Sequence, residues 1–483
     1  MSKPKAHFLS TEQLEIIHNG SLKVLENTGI RVLSQQALDI LKKAGARVDY
    51  DGNHATIPRD LVEEALKRAP KTIPYCARNP KNDLMLNKTE THFTTGGSPA
   101  CITDWETGER RASTNDDLAR WTRVADYLDN VHLVWGSLVP IDVPAPMQGL
   151  TAFVSVLRNT EKHVEGEALD ARDARYQVEI AATIIGGVEQ LKKRPIFSAI
   201  QCPISPLTYD KGITEGAIEF GKYGVPVVIF PMPLASETAP ATLAGTVVVS
   251  NAENLANLVI LEFANPGAPV LYGSAAAIAN LKTGEYSPGS PERALIHMAL
   301  AQLVERYKLP CELCSGNSDC KVPDAQAGFE RAMTITTALL MGGIDVIDGV
   351  GAIDASNAMS PELLVIDNEI IAAIRRLARG FEVNDDTLAL DIINKVGPSG
   401  IFLGQKHTLE HYKQEFWLPQ LSDKDTFNAW QKKGSKTMAE VARDKVHEIL
   451  ATHKPEPLSD SAEEEISRIL KRASAELLGK NQS

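Results

Sequence analysis

The sequence predicts an α/β protein built on a (β/α)8 TIM barrel, with a helical extension before it and helices after it. Three observations carry that expectation. From about residue 91, short apolar runs alternate with longer segments of helical period, eight times over. The short runs are apolar rather than strictly alternating, as parallel strands covered on both faces should be. No G-x-G-x-x-G follows the first run, which removes the commonest signature of the main competitor, an open doubly wound sheet.

Residues 1–90 read as a helical extension. Ser10 and Thr11 precede Leu14, Ile17, Leu22 and Leu25, the spacing of a capped amphipathic helix. Ser34 opens a second helix with Leu38, Ile40 and Leu41, and Pro58 a third through Leu61, Ala65 and Ala69. Pro70, Pro74 and Pro80 then break the chain, and the segment reads as a cap or oligomer contact.

The barrel is expected over residues 91–380. Its strands fall at 91–97, 131–137, 162–167, 195–201, 225–231, 269–274, 310–315 and 344–349. Its helices fall at 115–129, 145–158, 171–186, 208–223, 241–264, 291–307, 323–341 and 360–379. Ser113-Thr114 before Asp116, and Ser290-Pro291-Glu292, are helix-start signals. Residues 381–483 form a C-terminal helical region, with a loop at Gly397-Pro398-Ser399-Gly400 and helices at 407–417, 435–451 and 459–478. Ser459 caps the last of these, whose charge run reads as a solvated face.

Composition narrows the function. Of 483 residues, 43% are apolar and 23% charged, ordinary for a globular protein. A formal net charge of −12 argues against nonspecific nucleic-acid binding. The start M-S-K-P-K-A-H-F lacks a signal peptide's apolar run, and no uninterrupted apolar stretch is long enough to span a bilayer. Six cysteines in so long a chain make no disulfide framework, so a cytoplasmic location is expected.

A barrel of this kind does its chemistry at the C-terminal ends of its strands. Those ends carry Gly96, Gly97, Trp135, Glu165, Glu167, Gln201, Phe230, Tyr272, Asp319 and Asp348. Aromatics and carboxylates together can hold a quaternary ammonium, each aromatic face contributing about 0.5–2 kcal/mol. The competing reading is ordinary barrel packing. Glu165 and Glu167, two apart on a strand, should face the same side. The turn S-G-N-S-D-C-K-V-P-D, Ser315 to Asp324, gathers small residues, Asp319 and Lys321 between a strand and a helix. Cys311, Cys314 and Cys320 make C-x2-C-x5-C, conceivable for zinc but straddling a strand with no fourth ligand nearby, so they read as small buried residues. His407 to His411 matches H-x-x-E-H, yet lies outside the barrel and reads as packing or a subunit contact.

Seven stretches resemble the trimethylamine methyltransferase family: S-P-L (205–207), P-M-P (231–233), T-A-P-A-T-L-A-G (238–245), N-P-G-A-P-V-L-Y-G (265–273), T-G-E-Y-S-P-G-S-P-E (283–292), S-D-C-K-V-P-D-A-Q-A (318–327) and H-T-L-E-H-Y-K-Q-E-F-W (407–417). The resemblance implies a barrel that moves a methyl group from a methylated amine to cobalt in the cobalamin of a separate corrinoid protein. One departure matters. Archaeal trimethylamine enzymes of the family carry pyrrolysine near this S-D-x-K motif, where Val322 stands here. The chain therefore resembles the pyrrolysine-free branch, which demethylates quaternary amines such as glycine betaine.

That substitution is chemically coherent. A tertiary amine leaves poorly unless its nitrogen gains a fourth bond. A quaternary ammonium already has four, and departs as a neutral amine with no adduct and no lone pair for zinc to bind. The protein then has to orient the donor and exclude water. Weak aromatic contacts suit the step better than a close ion pair, because positive charge falls as the amine leaves. The resemblance thus implies no pyrrolysine, no zinc, a corrinoid-binding partner and a betaine substrate, with self-association expected from the helical ends. Asp319, Lys321 and Val322 are expected in the pocket wall. Trp135, Phe230 and Tyr272 are the expected cation contacts, and Glu165, Gln201 and Asp348 the polar ones. Proline betaine and carnitine are rivals within the same chemistry. A non-catalytic betaine-binding module and a zinc-dependent methyltransferase are rivals outside it.

Overall fold

The computed structural model describes residues 4–479. The eight expected strands close into one barrel: β1 (His92–Thr95), β2 (Leu133–Trp135), β3 (His163–Glu167), β4 (Phe197–Gln201), β5 (Val227–Ile229), β6 (Val270–Ser274), β7 (Cys311–Cys314) and β8 (Val346–Val350). Each pairs in parallel with the next, and Val346 opposite His92 closes the ring. Around it run α1 (Asn115–Tyr127), α2 (Gln148–Asn159), α3 (Ala171–Ile185), α4 (Lys211–Lys222), α5 (Leu243–Ala264), α6 (Pro291–Tyr307), α7 (Ala325–Met341) and α8 (Pro361–Arg379).

The helices begin where capping chemistry places them. Thr114 and Asp117 form a capping box on α1, Ser290 accepts from the Arg293 N–H at the start of α6, and Asp324 caps α7. Helix α5 is long and apolar enough to cross a membrane, yet most of it is buried, packed against the helices Thr11–Lys23, Gln35–Ala44 and Arg59–Arg68.

The N-terminal segment holds those three expected helices and also strands that its composition hid. Ile30–Val32, Arg47–Asp49 and His54–Thr56 form a small sheet with Thr208–Tyr209. A hairpin of Ile73–Tyr75 and Leu84–Leu86 sits against the barrel interior, where Ile73, Tyr75 and Leu86 share one apolar cluster with Leu133, Ile200, Val228, Leu271 and Val346. Pro74 and Pro80, read as chain breakers, lie in and beside this hairpin. After α8, the helices Met438–Thr452 and Asp460–Gly479 return to the barrel's outer layer, where Arg158 pairs with Glu463 at 2.6 Å.

At the C-terminal mouth the β7 and β8 ends approach closely. Gly349 has φ +99°, and a Cβ there would lie 2.7 Å from the Asn317 N–H. Only glycine lets the loop after β7 pass over β8 at that point. Two small sheets built from βα loops decorate this face; one of them, Leu234–Ala235 with Ala277–Ala279 and Tyr286–Ser287, places Tyr286.

Candidate active site at the mouth of the barrel

Alternation along each strand decides what enters the lumen. On β3, Glu165 points inwards, paired in register with Trp135 of β2 and Ser198 of β4. On β7, Glu312 and Cys314 share the inward face, and Cys314 is the register partner of Asp348 on β8. Glu165, Glu312 and Asp348 are all fully buried. Burial raises Glu165 and Asp348 to about 7, and lifts Glu312 well above the carboxylate range through burial and the charge of Glu165 beside it. Burial thus favours the neutral form of all three, with Glu165 and Asp348 poised between neutral and ionised near pH 7. The Ser198 Oγ donates to Glu165 Oε1 at 3.3 Å, while Glu165 Oε2 and both oxygens of Asp348 find no partner among the described residues. Below them His163 stacks on Tyr75, ring centroids 4.1 Å apart, with Nδ1 2.6 Å from the Cys76 carbonyl and Nε2 3.1 Å from Ser198 Oγ. Burial pushes this imidazole down to about 3, so it is neutral.

In the same lumen, Trp135 meets Phe230 edge to face at 5.9 Å. The Trp135 indole N–H donates to Glu167 Oε1 at 3.0 Å, and Ser98 Oγ donates to the same oxygen at 2.9 Å. A cavity of about 170 Å³ opens beside Trp135, lined also by Leu138, Gln148, Phe153 and Glu167.

Comparison with known proteins decides what this barrel is. The family model for trimethylamine methyltransferase (MTTB) matches residues 1–477. The chain belongs to the trimethylamine methyltransferase family. It is 34% identical to a glycine betaine methyltransferase of Desulfitobacterium hafniense strain Y51, covering 98% of each chain. It is 35% identical to a trimethylamine methyltransferase MttB of D. hafniense strain DCB-2, over 93% of this chain and 90% of that one. Among solved structures it resembles the monomethylamine methyltransferase MtmB in complex with hydroxylamine, with a TM-score of 0.52 at 12% identity, over 91% and 92% of the two chains. That likeness speaks for the fold alone.

Within this family member, the expected site residues divide by the side of the wall they occupy. Trp135, Glu165, Phe230 and Asp348 converge on the lumen. Gln201 and Tyr272 do not, and their assignment to the pocket is corrected. They are linked in register through Ile229 across β4, β5 and β6, and all three face the helical layer. Gln201 Oε1 accepts from the Asn257 side chain of α5, and the Tyr272 hydroxyl donates to Asn251 Oδ1 at 3.1 Å. In a short run buried on both faces, composition does not reveal which residues point inwards.

The turn after β7 is corrected as well. Asp319 Oδ2 accepts from the Gly289 N–H at 2.8 Å and from Ser287 Oγ at 3.1 Å, so it ties two βα loops together. Lys321 reaches away to Asp354 Oδ1 at 2.7 Å, and Val322 is 53% exposed. Lys321 and Val322 belong to the outer rim rather than to a buried pocket wall.

Two residues escaped the sequence reading. Glu312 lies inside the C-E-L-C run, and its spacing of two from Cys314 was the available signal. Arg293 read only as part of a helix start, yet its side chain is fully buried beside Cys314. Cys311 and Cys314 belong to the outer and inner apolar clusters respectively, so their thiols do not converge. Asp386, His407 and His411 do bring ligand atoms within 4.8 Å of one another and can hold a metal ion, but they lie in the C-terminal region, outside the barrel.

Proposed function

We propose that this enzyme takes a methyl group from a quaternary amine, glycine betaine first, and passes it to Co(I) of the cobalamin on a corrinoid-binding partner, in the cytoplasm. The observation that carries the reading is the lumen itself: two aromatic rings, Trp135 and Phe230, together with three buried acids whose ionisation burial opposes. Aromatic faces attract a quaternary ammonium without a close counter-ion. That suits a step in which the positive charge disappears.

The balance of the step is simple. The carbon–nitrogen bond breaks with its electron pair remaining on nitrogen, the methyl carbon bonds to cobalt through two electrons from Co(I), and dimethylglycine leaves with a neutral amine nitrogen and its carboxylate, taking up a proton from water afterwards. A reduced corrinoid supplies the nucleophile when its carrier is docked. This chain's residues hold the donor and exclude water. The rim fits such a carrier. Ile141, Leu169, Ile204, Met232, Leu281 and Val322, one on each loop after β2 to β7, are all exposed apolar side chains around the mouth. A sequence of only the twenty standard residues, with no pyrrolysine, supports a donor that needs no covalent activation.

A second reading, trimethylamine as donor, is favoured by the similarity to the D. hafniense trimethylamine methyltransferase MttB. The test is a turnover assay with reduced corrinoid and, separately, glycine betaine, proline betaine, carnitine and trimethylamine, followed by the absorbance of the methylated corrinoid. Signal with glycine betaine is expected. Signal with trimethylamine alone would overturn the proposal, and binding of a betaine without any transfer would make the protein a binding module.

A further inference from the structure

The geometry points to Arg293 as the anion-binding end of the substrate site, holding a carboxylate that the substrate carries beside its quaternary nitrogen. This rests on the reading above that the lumen takes a quaternary amine, and it explains how a zwitterion is chosen over a simple cation.

Arg293 is the third residue of α6, and none of its side chain is exposed. Its guanidinium lies over the Tyr286 ring, 5.7 Å from the centroid. One nitrogen is committed: Nη1 donates to the Pro288 carbonyl at 2.9 Å and to Asn317 Oδ1. Asn317 is itself held, its amide donating to Ser356 Oγ at 2.7 Å. The other two nitrogens, Nε and Nη2, are buried and find no acceptor among the described residues.

Those two nitrogens form one edge of the fork, and that edge takes both oxygens of a carboxylate. The protein uses it this way elsewhere. Arg306 donates from Nε and Nη2 to the two oxygens of Glu15, at 2.6 and 3.0 Å. The other fully buried arginine, Arg331, already has its counter-ion, Asp367 at 2.6 Å. Arg293 differs in being buried, oriented and left with its carboxylate-binding edge unpaired among the described residues. A buried cation is costly to maintain without a partner, so a ligand anion is the natural complement.

Its place in the barrel matches a zwitterion. The guanidinium lies beside Cys314 and near Asp348, and Cys314 shares the lumen cluster with Trp135 and Phe230. In the closed ring β2, which carries Trp135, stands opposite β6, and Arg293 follows β6 in the chain. The two ends of the mouth are thus an aromatic wall for the ammonium and a guanidinium edge for the carboxylate. Asp348 does not occupy that edge: neither of its oxygens accepts a hydrogen bond from the guanidinium.

The test compares glycine betaine with its methyl ester, which keeps the quaternary nitrogen and loses the anion. By calorimetry the unaltered enzyme is expected to bind the acid about 100-fold more tightly than the ester. Arg293→Met should bring that ratio to about threefold or less, and Arg293→Lys, which keeps charge but not the fork, should recover part of it. A purely structural role would weaken both ligands alike and leave the ratio unmoved. If Arg293→Met does not fold, the ratio in the unaltered enzyme decides. Equal binding of acid and ester, or a ratio unchanged by Arg293→Met, overturns the role of Arg293 alone. Failure of both ligands, with turnover of trimethylamine, overturns the quaternary-amine reading and this inference together.

Discussion

Buried polar side chains line both sides of the β6 wall, and their hydrogen bonding differs. On the outside, α5 presents Asn251, Asn254 and Glu253 to the barrel. Asn254 grips β6 by its backbone, donating to the Gly273 carbonyl at 2.9 Å and accepting from the Gly273 N–H at 3.2 Å. Asn251 meets Tyr272, Tyr307 and Ser21, and Glu253 accepts from Ser205 and the Leu207 N–H. On the inside, Glu165, Glu312, Asp348 and Arg293 are as deeply buried but leave oxygens and nitrogens unused. Polar groups that satisfy one another hold a structure together, whereas buried groups left open await something the folded chain lacks.

The largest effect expected from this contrast is on the outer side. Asn254→Leu removes both hydrogen bonds to the Gly273 backbone, and should cost about 3 kcal/mol of stability, read from denaturant melts. A loss under about 0.5 kcal/mol would mean that the outer network is not structural. On the inner side the sign reverses. Glu165 has its carboxyl raised by burial from 4.5 to about 7, so its contribution is full below pH 4.5 and is lost as pH climbs to 7. Glu165→Gln removes that loss. The variant should be more stable than the parent at pH 8, by on the order of 2 kcal/mol, with little difference at pH 4 and with methyl transfer impaired. Identical pH slopes for the two proteins would contradict the buried neutral acid. The smallest effect sharpens the boundary between the sides. Tyr272→Phe gives up one hydrogen bond to Asn251, about 1 kcal/mol, and should leave KM for the proposed methyl donor within about twofold. A tenfold rise would return Tyr272 to the pocket.

The same boundary separates what was legible beforehand from what was not. Ser290, Thr114 and Asp324 announce their helices through side chains that bond nearby backbone, so the signal is local. Trp135, Glu165, Phe230 and Asp348 were found by strand-end position, and so, by the same rule, were Gln201 and Tyr272, which face the helices. The rule says how far along a strand a residue lies, not which way it points. The hairpin at Ile73–Leu86 was missed because its prolines read as breaks, and its strands are stabilised by the barrel interior they meet.

The sequence by itself determined the order of the eight βα units, most of the helix starts and the family, because each depends on periodicity, caps or long shared motifs along the chain. Only the tertiary structure decided which acids enter the lumen, that Lys321 and Val322 stand on the rim, and that a helix-start arginine folds back beside Cys314. Those outcomes depend on closure of the ring. Closure sets the inward parity of every strand at once, and brings residues far apart in the chain to one buried mouth.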